Sequence, residues 1–378
     1  MHVISHHFGE EWLSKGQAPA CIKTRGGTTW TSGIPGIDFA TGRVSADPAD
    51  QMRAAFDNCA LLLREAGCPL NSVALIDVTI SSRELRSHID GPWLDLFPDS
   101  TNRPARKTNQ RLLPEGVFAQ VQAICIEGER QSVEIEGLRH RAPIPMGACA
   151  GPYVFSSVIG GEDPASGDLP TDPTDQIEQA FTNCARLMRA AGGDETGINH
   201  MWVFIADYGL SDAVLDAYLR MFPDDSKPAR KILPYALPEG CVIQIQMSGS
   251  IEGRTANYEV PLFAHHDPIP LASRAGQLFQ SSGIHGQVPG TLSPDPGGAL
   301  RQTELSLETV GRLMERAGGQ LDDITGLTVL VDNLSDAAPI YGTIGERLGR
   351  SAPPVNFAQA ALPPDMLMQF HVTGWLPE

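Results

Sequence analysis

Two arginines stand in nearly the same phrase: RPARKTNQRLLPEG places Arg106 and KPARKILPYALPEG places Arg230. A guanidinium presents its N–H donors as a planar fork that matches a carboxylate, so a repeated, proline-bracketed arginine is a candidate grip for a small acid. Counting back seven residues from the leucine of LPEG reaches Arg106 from Leu113 and Arg230 from Leu237. The same count from Leu362, in LPPD, reaches Val355 in PPV, so at most two such grips are expected. Lys107 and Lys231 follow the arginines and are expected to be solvated.

Other polar residues recur with the same spacing. Thr31 in TSGIPG, Ser156 in SSVIGG and Ser281 in SSGIHG lie 125 positions apart. Each hydroxyl, with nearby backbone N–H groups, could hold an oxyanion or simply satisfy a turn. Near the end of each repeat, Gln120 with Gln122, Gln244 with Gln246, and Gln369 with His371 share a strand face through its period of two. Those amides either read a polar ligand or form a hydrogen-bonded layer between repeats. His140 and His265, also 125 apart, lie in the linkers LRHRAPIP and AHHDPIP and are candidate bases or solvated linker residues. No HxH or HExxH grouping and no glycine-rich phosphate loop is present, so neither a metal nor a cofactor is expected.

The elements that must position these residues are written three times. DPADQMRAAFDNCALLLREAG, DPTDQIEQAFTNCARLMRAAG and GALRQTELSLETVGRLMERAG carry apolar residues at steps of four and three, the stripe of a helix with one buried face. Asp47-Pro48 and Asp172-Pro173 read as N-caps followed by proline in the first turn. Gly67, Gly192 and Gly318 end the three helices. Cys59 and Cys184 fall on the buried stripe and read as core thiols. An apolar strand, a shorter helix, a loop carrying the arginine phrase and a last strand follow each long helix. The chain therefore divides into α+β modules at 1–140, 141–266 and 267–378. Helices cover one face of each sheet, and the modules cover each other's remaining faces around a pseudo-threefold axis.

The composition narrows the function classes. A net charge of −17 disfavours nucleic acid and anionic membranes as partners. Seven cysteines without CxxC spacing fit free thiols in a reducing compartment, and no run is long and apolar enough to span a bilayer, so a cytoplasmic protein is expected.

TSGIPG, the helix bearing Gln51 and ending in EAG, the PAR arginine and the LPEG before the last strand together resemble the RidA/YjgF family of enamine/imine deaminases. The resemblance implies three fused modules, each a ferredoxin-like (chorismate-mutase-like) sheet with two helices, arranged as a pseudo-trimer that is itself monomeric or dimeric. It further implies that Arg106 and Arg230 hold the carboxylate of a small metabolite in clefts between modules, where water attacks an imine carbon. Deaminating members carry glutamates in the last strand, nine residues after the LPEG leucine. Here those places hold Gln122, Gln246 and His371, the catalytic candidates, with Gln120, Gln244 and Gln369 two places earlier. A glutamine orients water but cannot take its proton at neutral pH. Three readings stay open: imine hydrolysis with another proton carrier, a chorismatase-like hydrolase or lyase acting on a cyclic or enol-ether acid, and a non-catalytic small-acid binder.

Overall fold

The computed structural model describes residues 2–222 and 226–378. The three repeats build three sheets of one design. In the first, the order is His2–His6, Ala20–Arg25, Thr28–Thr31, Ala119–Ile126, Val73–Ile80, Ala105–Gln110. The second and third sheets repeat this order, with Ile198–Ile205 and Ile324–Val331 in the place of Val73–Ile80. The last two strands of each order run parallel, as a crossover through the short helix requires, and the other pairings are antiparallel.

The outermost strand at the other edge comes from the preceding stretch of chain. Arg130–Val133 pairs with Gly147–Ala150, so it belongs to the second sheet, and Ala256–Tyr258 pairs with Ala272–Ala275 in the third. The chain thus leaves the first sheet between Ile126 and Arg130, and the second between Ser250 and Ala256, ahead of the expected divisions at 140 and 266.

The long helices span Pro48–Glu65, Pro173–Ala190 and Gly298–Arg316. Asp47 and Asp172 cap the first two, each accepting at 2.7 Å from the N–H of Ala49 or Thr174. Gly67, Gly192 and Gly318 adopt the positive φ that ends a helix most easily without a Cβ. A buried glutamine ties each helix to the loop before the last strand. Gln176 donates to Pro170 O and Gly240 O and accepts from Val242 N, and Gln51 and Gln302 make the same three contacts in their modules.

Two expectations about local structure are corrected. The arginine phrases form strands, Ala105–Gln110 and Ala229–Pro234, matched in the third module by Val355–Gln359, where loops were expected. Their mixed polar sequence hides the strand because both faces are enclosed, one by its own module and one by the next. The first short helix is broken into a 3₁₀ segment, Arg83–His88, and a helix, Asp90–Leu96. Pro92 lacks an N–H and is tolerated only in a first turn, so the helix restarts there.

Each module keeps its own core between long helix and sheet. The sheet faces without helices meet at the centre, where Trp30, Leu75 and Ile124 pack with Tyr153 and Phe155 of the second module and Leu278 and Trp375 of the third. The ring is closed between first and third modules by the Arg25–Asp323 ion pair, 2.5 Å, and by Lys23 Nζ donating to Ser351 O at 2.7 Å.

Candidate functional site

Arg106 and Arg230 occupy equivalent, buried places at module boundaries. The backbone N–H of Arg106 donates to Ser157 Oγ of the second module at 3.0 Å, and that of Arg230 to Ser282 Oγ of the third at 3.1 Å. Each guanidinium stacks on an aromatic ring of its own module, Arg106 on Trp93 at 4.8 Å and Arg230 on Tyr218 at 4.6 Å. Each gives Nη2 to a carboxylate at 2.7 Å, Asp90 for Arg106 and Asp267 for Arg230. Burial lowers both guanidinium pKa values from the ordinary range, and the neighbouring aspartate opposes that shift. Arg106 Nε and Nη1, and Arg230 Nη1, are buried with no hydrogen-bond partner among the described residues. Donors left so cost free energy unless a ligand or water accepts from them.

The lysines differ from expectation. Lys107 is buried, its ammonium 3.5 Å from the Phe204 ring of the second module, and burial pushes its pKa down to about 7 against the opposing charge of Asp77. Lys231 is half-buried and pushed down to about 8. The strand alternates its side chains, so when Arg106 faces its own aromatic shelf, Lys107 must point at the adjoining module.

The hydroxyls of Thr31, Ser156 and Ser281 accept from backbone N–H groups of their own modules' last strands, at Ala123 (2.8 Å), Met247 (2.7 Å) and Val372 (2.8 Å). The residue after two of them reaches outward: Ser157 and Ser282 touch the arginine strands, whereas Ser32 bonds to Cys21 and Pro19 of its own module. The paired hydroxyls at 156–157 and 281–282 carried that signal in the sequence.

Gln122, Gln246 and His371 come together with one another rather than with the arginines. They line a central cavity of about 70 Å³ on the pseudo-threefold axis, with Asp77, His200 and Trp202. Gln246 Nε2 donates to Asp77 Oδ1 at 3.0 Å, and Gln122 Nε2 to Thr31 O at 2.8 Å. His371 lies against Trp202, ring centroids 4.5 Å apart and tilted by 47°. Its two ring nitrogens have no partner among the described residues, and burial drives its pKa well below the ordinary value.

The residues two places earlier go to the clefts. Gln120 lies where the third module meets the first and donates to Gln17 Oε1 at 2.6 Å. Its amide folds over Gly33, where a Cβ would stand 2.7 Å from Gln120 Oε1. Gln369 folds over Gly283 in the same way, beside the Arg230 cleft. The second module carries Val158 where the others carry Gly33 and Gly283, and Gln244 instead lines a cavity of about 270 Å³ with His140, Val158, Gly160 and Glu162. His140 is the lining residue on which the Arg106 charge acts. Burial together with that charge pushes its pKa down to about 4. Near Arg230 the equivalent His265 and a further ring, His285, flank Phe263, with centroids at 5.2 and 5.7 Å, and both are pushed down to about 4 by burial.

The lining of the cavity beside Gln244 offers a neutral imidazole, an amide and a carboxylate, and the charge of Arg106 acts on the imidazole from outside that lining. Asp90, Asp267, Trp93, Tyr218, Glu162 and His285 were not legible as site residues from sequence.

No family model matches the chain. The chain is 36% identical over 110 residues to the 2-iminobutanoate/2-iminopropanoate deaminase of Capra hircus, covering 26% of this chain and 80% of that protein. It is 26% identical over 122 residues to a RutC family protein of Pyrococcus abyssi, covering 30% and 94%. Among solved structures, a chorismatase is similar across 80% of this chain and 93% of its own, with a TM-score of 0.55 and 16% identity, a likeness of fold. RidA from the Antarctic bacterium Psychrobacter matches 32% of this chain and 99% of its own, with a TM-score of 0.31 and 24% identity. With its tandem sheets each built on one plan and a deaminase relative aligned over most of that relative's length, the chain belongs to the RidA/YjgF (RutC) family.

Proposed function

We propose that the protein hydrolyses the imine or enamine of a small carboxylic acid, with the substrate carboxylate held by arginine at the module boundaries. The observation that carries this reading is Arg106: a buried guanidinium with two unpartnered donors at the boundary between the first and second modules. Arg230 is its counterpart in the second boundary. Relatives named as 2-iminobutanoate/2-iminopropanoate deaminases support the reaction class. In the reaction, water adds to the imine carbon, the carbon–nitrogen bond of the resulting carbinolamine breaks, and a keto acid and ammonia leave.

The test is hydrolysis of imino acids generated in situ by an amino-acid oxidase. Keto-acid and ammonia release should exceed the spontaneous rate. Arg106→Ala should cut kcat/KM on the order of 10²-fold, the equivalent of losing about 3 kcal/mol of charge-assisted hydrogen bonding. No acceleration with any small imino acid tried, or undiminished activity in a folded Arg106→Ala/Arg230→Ala protein, overturns the reading. Chorismate supplied in a parallel assay tests the enol-ether alternative.

A further inference from the structure

The three clefts differ at one strand position that sequence repetition makes directly comparable. Pro35, Gly160 and His285 stand 125 residues apart, and Ile37, Glu162 and Gln287 two places later. Pro35 pairs with Gln120 and Gly160 with Gln244 across the sheet, while the Ile284–Phe370 bridge sets His285 beside Gln369. Each variable residue therefore lies across from the earlier of the paired last-strand residues, Gln120, Gln244 or Gln369.

In the first cleft that position is glycine, and the space a side chain would take is filled by Glu162. A Cβ built on Gly160 would lie 2.3 Å from Glu162 Oε2. The carboxylate is half-buried and lines the same cavity as Gln244 and His140. Its backbone is fixed: Asn183 on the long helix donates to both Gly160 O, at 3.0 Å, and Glu162 O, at 2.9 Å. Gly161 between them packs against the helix so closely that a Cβ would stand 2.2 Å from Gln176 O.

In the second cleft the His285 ring stands at this position, and Gln287 is tied both to it, Nε2 to Nε2 at 3.2 Å, and to the Ala264 backbone. Gln287 Nε2 donates to Ala264 O at 2.7 Å, and its Oε1 accepts from Ala264 N at 3.0 Å. The third cleft has Pro35 and Ile37 and lacks the arginine.

We infer that Glu162 is the carboxylate that activates water in the first cleft, standing beside Gln244, and that only this cleft completes the reaction. The inference rests on the imine-hydrolysis reading above and names its base. As the water oxygen bonds to the imine carbon, Glu162 takes the water proton and the carbon–nitrogen π pair moves to nitrogen. Glu162 then returns that proton to the amine nitrogen. Glu162 then accepts the carbinolamine hydroxyl proton as the carbonyl forms and passes it to the nitrogen, so that ammonia leaves with the pair of the broken carbon–nitrogen bond. No oxidant or reductant takes part.

Glu162→Gln keeps size and polarity but cannot accept the proton. It should lower kcat/KM for in situ imino acids by 10²- to 10⁴-fold. Binding of 2-oxobutanoate, titrated calorimetrically, should stay within about 3-fold of wild type, because Arg106 is intact. Gly160→Ala tests the same point without removing the carboxylate. The added methyl displaces only the flexible end of Glu162, so the fold should survive while kcat/KM drops about tenfold or more. Full activity in folded Glu162→Gln overturns the assignment and leaves imine hydrolysis standing, as does a loss matched by an equal loss of 2-oxobutanoate affinity. An inactive wild type overturns both.

Discussion

The Ser157 hydroxyl of the second module accepts the backbone N–H of Arg106 from the first at 3.0 Å, and Ser282 repeats this for Arg230 at 3.1 Å. The hydrogen bond crosses the module boundary at the arginine proposed to hold the substrate, so a contact between modules also fixes the backbone of that residue. Ser157→Ala leaves that buried N–H without a partner. We expect a loss of about 1–3 kcal/mol in denaturant unfolding and a raised KM for imino acids, with kcat less affected.

Arg106 also discriminates between charge and shape. Lysine at this position would keep a cation but lose both the fork and the stacking on Trp93 at 4.8 Å. Arg106→Lys is expected to weaken 2-oxobutanoate binding about tenfold or more. Affinity unchanged in calorimetric titration would mean that a point charge is enough.

Acid should destabilise the protein earlier than its carboxylates alone require. Burial lowers the folded pKa of His140, His265 and His285 to about 4 and of His200 to about 3, and lowers that of His371 further below its ordinary value. Unfolded, these rings titrate near 6.5. Between pH 6.5 and 4 the unfolded chain therefore binds more protons than the folded one, and stability falls as pH falls, by at most about 1.4 kcal/mol per pH unit for each histidine. Asp77, raised by burial, acts in the opposite sense. Thermal unfolding from pH 7.5 to 5 should show Tm dropping by at least several degrees. His371 is faced by His200, Lys231, Arg111 and Trp202, so His371→Gln, which copies the other two modules, should flatten that acid limb.

Gln176 joins helix and loop through three hydrogen bonds of 2.8, 2.9 and 3.1 Å. Gln176→Leu strands two carbonyls and one N–H in the interior and is expected to cost about 3–5 kcal/mol. Asp172→Ala, which removes only the cap of the same helix, should cost about 1 kcal/mol. Equal losses in chemical denaturation would contradict this ranking.

Repetition made the architecture legible. Three copies of one helical stripe, capped by Asp47 and Asp172 and stopped by Gly67, Gly192 and Gly318, are enough to define the modules and their pseudo-trimeric assembly. The arginine strands were missed because strand periodicity shows only when one face is wet, and Arg106 and Lys107 are both enclosed. The cleft was legible as far as residues that repeat, which is why Arg106, Arg230 and His140 were singled out. Glu162 and His285 were invisible for the opposite reason: each occurs in one copy only, and the place of the Glu162 carboxylate depends on position 160 being glycine.

A ring of identical subunits must write every change into all its active sites at once, because one gene specifies each of them. Here the handover of Arg130–Val133 and Ala256–Tyr258 into the following sheets stitches the ring into one polypeptide. Selection can then act on one pocket alone, sparing its siblings to serve as scaffolding, and the stoichiometry of working centres per ring is no longer bound to be three.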